Sequence, residues 1–132
     1  EDFLAAAGPV KGELILAVRL PLPGDGQFFG SYKIMPRHVN AHAEVNAAMW
    51  LQVDDDGAVA GSRLVIGNVQ PHYLLAPKTL ACLNGKVLDQ HVMDAAMSTL
   101  RSEVADVCED AYRQELAVAL FYKLCLTYML GR

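Results

Sequence analysis

No run in this chain is long and apolar enough to cross a bilayer. The most apolar stretch, Leu116 to Leu130, is interrupted by Lys123 and falls short of the about 20 residues a spanning helix needs. Cysteine is scarce too. Cys82, Cys108 and Cys125 are odd in number, far apart and set in apolar or helical surroundings, which argues against a disulfide framework and reads as buried thiols of a reducing, cytoplasmic setting. Charge is low, at 20%, and the 11 lysines and arginines are scattered under a net charge of −4, so neither nucleic acid nor an anionic membrane surface is an expected partner. Motifs for chemistry are missing as well. There is no Gly-x-Ser-x-Gly elbow, P-loop or Gly-x-Gly-x-x-Gly, which leaves nucleophilic catalysis and self-contained dinucleotide binding without residues to carry them.

What is abundant is apolar side chain, 53% of 132 residues. A chain of this size forms one domain and buries roughly two-thirds of the surface its unfolded form exposes. The apolar excess suits a piece of something larger with a face turned to a partner. The start at Glu1, with neither an initiator Met nor a signal peptide, points the same way.

The expected organisation is a lead-in over 1–11, a four-stranded sheet over 12–69 and three helices over 75–130, together a single domain over 1–132. In the first strand, Glu13 to Leu20, Leu14, Leu16, Val18 and Leu20 alternate with Glu13, Ile15, Ala17 and Arg19, the period-two pattern of a half-buried strand. Pro21 and Pro23-Gly24-Asp25-Gly26 make the turn. The second strand, Gln27 to Met35, places Phe28, Tyr32 and Ile34 on one face and Phe29, Ser31, Lys33 and Met35 on the other. Ala43 to Val53 and Ala58 to Val69 form a hairpin about Asp54-Asp55-Asp56-Gly57, a solvated turn that lacks the ligand spacing of a calcium loop.

After Pro71 the period lengthens to 3.6. Ala76 to Asn84 is a short helix with an early proline. Asp89 caps a second helix with Leu88 and Met93 as its staple, and Asp110 caps a third whose stripe of Leu116, Leu120, Phe121, Leu124, Cys125 and Tyr128 must be buried. Strands followed by helices define an α+β two-layer sandwich, with the antiparallel sheet covered on one face by all three helices. If the helices cover Leu14, Leu16, Phe28 and Tyr32, then Ile15 and Lys33 both point to the opposite side.

His38 and His42 have an i, i+4 spacing but fall in a strand-to-strand corner, and His72 and His91 belong to other elements, so no metal site is expected. The mixed sheet face around Lys33, Phe29 and Trp50 suits contact with another domain or a flat aromatic ligand.

Several of these segments resemble the molybdenum hydroxylases, the aldehyde oxidase and xanthine dehydrogenase family, in the C-terminal part of their FAD domain. Glu13-Leu14-Ile15-Leu16 through Leu20-Pro21 is similar to that family's Glu-Ile-Leu-x-Ser-x-x-Ile-Pro, and Phe28-Phe29-Gly30-Ser31-Tyr32-Lys33 to its Phe-x-Ser-Phe-Lys. Arg37, Val45-Asn46-Ala47 and Tyr112-Arg113 follow in the family's order. Lys33-Ile34-Met35-Pro36-Arg37 is closer to aldehyde oxidases. Where many members carry a second arginine and Asp-Ile-Ala, this chain has His38 and Ala41-His42-Ala43.

The resemblance implies the fold of the CO dehydrogenase flavoprotein C-terminal domain and a share in an oxidoreductase that passes electrons from substrate hydroxylation through FAD to oxygen or NAD. It implies that Lys33 approaches the flavin and Ile15 packs near it, with Arg37 and His38 as supporting positions. FAD is then shared with a flavin-cradling subdomain outside this chain. Molybdopterin and the [2Fe–2S] clusters belong to other domains of the same enzyme, a homodimer, and the isolated chain is inactive. The rival reading is a free-standing protein-interaction module that kept the fold and lost electron transfer.

Overall fold

The computed structural model describes residues 12, 14, 16–39 and 41–131. Among them are three strands and three helices: β1 (Gln27–Ile34), β2 (Val45–Val53), β3 (Val59–Gly67), α1 (Pro77–Leu83), α2 (Gln90–Ala105) and α3 (Ala111–Leu130). The sheet is antiparallel in the order β1-β2-β3. Strict alternation along β2 buries Val45, Ala47, Met49 and Leu51 on one side. Their neighbours by register on that side are Tyr32 and Gly30 of β1 and Leu64 and Ile66 of β3.

Helix α3 seals this side. It lies against β1 and β2, α1 lies against β3, and α2 packs on both helices rather than on the sheet. Phe121, Leu124 and Cys125 of α3 are fully buried, and the Tyr128 ring meets Phe28 edge-on at 5.6 Å. Gly30 lets the helix come this close, because a Cβ there would stand 2.9 Å from Leu124 Cδ2. At the rim, the Tyr32 hydroxyl lies 3.0 Å from Thr127 Oγ1 and Lys123 Nζ sits 4.1 Å above the Tyr32 ring.

The expected fourth strand is not among the described elements. Leu14, Leu16, Val18 and Leu20 are 81%, 89%, 75% and 81% exposed, in place of the helix-covered face expected for them. Alternation makes a segment fit a pleat, but a ladder also needs a partner edge and a buried face, and neither is dictated locally. The helix ends follow their capping residues. Asp89 accepts from Val92 N at 2.8 Å, and Asp110 from Tyr112 N and Arg113 N at 2.9 and 3.3 Å. In the hairpin turn, Asp54 Oδ1 accepts from Asp56 N and Ala58 N at 3.1 and 2.8 Å, so this acid serves the turn itself.

Helix α1 is capped from outside its own segment. Ala76 precedes it in the left-handed region at φ 47, and its first turn donates to a carboxylate of α2. Glu103 Oε1 accepts from Lys78 N at 2.9 Å, and Oε2 accepts from Thr79 N and Thr79 Oγ1 at 2.8 and 2.6 Å. Glu103 and Thr79 are both buried. A carboxylate at a helix N-terminus satisfies donors that have no partner within the helix. Among the cysteines, Cys108 and Cys125 are buried and Cys82 is half-buried.

Two outcomes follow from this packing. Glu103→Ala leaves buried amides without an acceptor and lowers the unfolding free energy by about 1–3 kcal/mol in urea titrations, whereas Glu115→Ala, which removes the exposed pair with Arg101, changes it by less than about 1 kcal/mol. Burial pushes the Cys125 thiol up from 9.0 to about 12. The unfolded chain therefore releases this proton first. Stability from Cys125 is full below pH 9 and declines between about 9 and 12, and Cys125→Ala flattens that part of the stability profile.

Candidate functional site

The sheet has a second side, and its residues are fixed by the same alternation. Along the register, Lys33 pairs with Asn46 and Asn46 with Gly67; Ser31 pairs with Ala48 and Ala48 with Val65; Phe29 pairs with Trp50 and Trp50 with Arg63. These three rows step across the face at about 6.8 Å per two residues. Cations occur in it at Lys33 and Arg63, and no carboxylate occupies a strand position of these rows. No helix covers this face among the described elements.

Lys33 stands as the alternation requires, exposed on the side away from α3. Among the described residues its ammonium has neither an ion-pair nor a hydrogen-bond partner. Ile15, the other expected cofactor neighbour, lies outside the described residues. At the far end of the face, Phe29 is 57% exposed and Trp50 is half-buried. With Leu20, Pro21, Leu22, Pro23 and Gln27 they line a cavity of about 420 Å³. The face thus carries Lys33 at one end and Phe29, Trp50 and Arg63 at the other, with small residues, Ser31 and Ala48, between.

The corner joining β1 and β2 is tied to α3 rather than to this face. Arg113 donates to Asn68 O at 3.3 Å and pairs with Glu44 at 3.5 Å, while Asn68 Nδ2 donates to Ala43 O at 2.5 Å. Arg37 and His42 line a cavity of about 530 Å³ with Glu44 and Arg113. His38 is exposed and is not part of that lining. The structure thus brings Arg37 and His42 together and leaves His38 apart. Among the described residues no group of three or more His, Cys, Asp and Glu side chains is placed to hold a metal ion.

Two residues escaped the sequence reading. Asn46 shares the Lys33 row, and Gly67 beyond it leaves room for the Asn46 side chain: a Cβ on Gly67 would collide with Asn46 Oδ1 and stand 3.2 Å from Cγ. The available signal was the position of Asn46 between Val45 and Ala47, on the polar parity of β2.

The fold is an antiparallel sheet of three described strands backed by helices on one side, with Lys33, Trp50 and Arg63 on the other. The chain is a member of the CO dehydrogenase flavoprotein C-terminal domain family, whose model matches residues 30–128. It is 26% identical to aldehyde oxidase 4 of Rattus norvegicus over 121 residues, 86% of this chain and 9% of the relative. Against xanthine dehydrogenase 1 of Arabidopsis thaliana the identity is 28% over 125 residues, 88% of this chain and 9% of the relative. The chain therefore spans about 9% of the length of these curated relatives. Among solved structures, reconstituted CO dehydrogenase from Oligotropha carboxidovorans has a TM-score of 0.65 at 22% identity, covering 79% of this chain and 37% of that one. Quinoline 2-oxidoreductase from Pseudomonas putida 86 has a TM-score of 0.60 at 23% identity, covering 85% and 39%. These structures share the fold.

Neighbouring positions on β1 test the sidedness directly. Lys33→Ala leaves unfolding free energy within about 0.5 kcal/mol of the parent, as expected for an exposed residue without contacts. Tyr32→Ala loses about 2 kcal/mol or more through its ring and hydroxyl contacts with α3. Equal losses at the two positions in denaturant titrations would contradict the assignment of faces.

Proposed function

We propose that this chain is the C-terminal subdomain of the FAD domain in an aldehyde oxidase-type molybdenum hydroxylase, and that its open sheet face meets the flavin with Lys33. The observation that carries this reading is the Lys33 ammonium, exposed without a partner among the described residues on a strand of a flavoprotein-family domain. A strand fixes a charge more reproducibly than a loop does. In the same row the Asn46 carboxamide lies over Gly67, in the space a side chain at 67 would take, so the row offers an ammonium and an amide side by side. These residues fit a flavin edge.

When bound, FAD supplies a two-electron carrier whose reduced form gathers negative charge at its pyrimidine end. The part of this chain is electrostatic. Lys33 places a positive charge where that negative charge gathers, and the absence of carboxylates from the three rows leaves the effect undiluted. Ile15 is proposed to pack beside the same ring. Arg37 and His38 are supporting positions.

The remaining work falls to other domains of the same enzyme, consistent with the 9% of relatives' length that this chain matches. A flavin-cradling subdomain holds the phosphates and adenine, and further domains hold the [2Fe–2S] clusters and molybdopterin. In such an enzyme, a cytoplasmic homodimer, FAD would relay electrons from substrate hydroxylation to oxygen or NAD. The alternative, a free-standing interaction module, draws on the exposed apolar side chains from Leu14 to Leu22.

In the full-length enzyme, Lys33→Ala lowers the flavin reduction potential, because the positive charge that favours the reduced form is gone, and the stronger driving force to the acceptor speeds the oxidative half-reaction. A redox titration and stopped-flow reoxidation measure the two effects. Unchanged values for both would remove Lys33 from the site.

A further inference from the structure

Lys33 is not the only polar group in its row. Asn46 is its cross-strand partner on β2, is exposed, and forms no hydrogen bond through its carboxamide among the described residues. On its other side stands Gly67 of β3, and the carboxamide occupies the space where a side chain at 67 would be. Neither asparagine nor glycine is favoured in a ladder: one competes for backbone hydrogen bonds, and the other brings no side chain to pack. Two unfavourable choices meet in one row beside an unpartnered lysine. Such local departures from strand preference are expected where a site is built.

We propose that Asn46 is a second flavin-binding residue of this face, whose carboxamide hydrogen-bonds the same carbonyl-bearing edge that Lys33 meets, while Gly67 lets it lie flat against the sheet. The proposal rests on the flavin reading of Lys33. The carboxamide lies over Gly67, and its N–H donors have no partner among the described residues. Cross-strand neighbours on one face have Cβ atoms about 4.5–5.5 Å apart, close enough for an ammonium and an amide to reach adjacent atoms of one heterocycle. The lysine supplies charge. The amide supplies direction, since its donors lie in a plane and the ammonium's rotate. No carboxylate of the three rows competes for either group.

The test uses the full-length, FAD-loaded enzyme carrying Asn46→Ala, Asn46→Asp, Gly67→Ala or Lys33→Ala, with the flavin potential from redox titration, FAD occupancy from the visible absorption, and melting temperature for integrity. Asn46→Ala is expected to weaken the preference for reduced flavin by threefold to tenfold, a fall of about 15–30 mV for a two-electron couple, with melting unchanged. Asn46→Asp, which sets a carboxylate beside Lys33, lowers the potential further. Gly67→Ala, which displaces the carboxamide, shifts it in the same direction as Asn46→Ala. If Lys33→Ala lowers the potential and Asn46→Ala leaves both potential and occupancy at the parent values, Asn46 has no part in flavin binding and the Lys33 reading survives. If neither variant moves the potential, the Lys33 reading fails and this proposal falls with it.

Discussion

Everything on the open side of this domain is decided by what α3 buries on the other. Phe121, Leu124 and Cys125 press on the β1–β2 side of a narrow sheet, and full burial of each such side chain is worth roughly 1.5–3 kcal/mol. Because side chains on a strand alternate with a period of two, sealing Val45, Ala47, Met49 and Leu51 obliges Asn46, Ala48 and Trp50 to face away. A slip of one residue would invert both sides at once. The placement of Lys33 is thus a consequence of core packing, and its precision is that of the core.

The helical layer is held in turn by a buried charge with its partners in place. Glu103 joins α2 to the first turn of α1 through three hydrogen bonds, and a carboxylate so satisfied orients one helix on another rather than merely occupying space. On the opposite corner Arg113 ties the start of α3 to the β1–β2 connection and to the end of β3. Between these two anchors the helices back one side of the sheet, which fixes the direction of the side chains on the other.

Much of this was legible in the residues. The alternation of Ala43 to Val53, the paired segment after Asp54-Asp55-Asp56-Gly57, and the caps Asp89 and Asp110 all announce themselves locally, because each needs only near neighbours in sequence. The stripe of α3 was readable for the same reason. The first strand was not settled by its pattern: Leu14, Leu16, Val18 and Leu20 recur at every second position yet stand exposed, since pairing depends on a distant edge. Glu103 was invisible as a cap because its acceptors' donors lie 24 and 25 positions away. Asn46 and Gly67 join only through the register of three strands, which no local pattern contains. Ile15, placed on the Lys33 side by alternation and by the family resemblance, lies outside the described residues.

The proposed function turns on one spatial relation, between Lys33 and a flavin cradled mainly by neighbouring polypeptide. A crystal structure of the full-length enzyme with FAD bound measures it directly. The prediction is Lys33 Nζ within hydrogen-bond reach, about 3 Å, of a flavin oxygen or nitrogen, with α3 on the far side of the sheet. A flavin resting elsewhere, with the Lys33 face packed against protein alone, would contradict it.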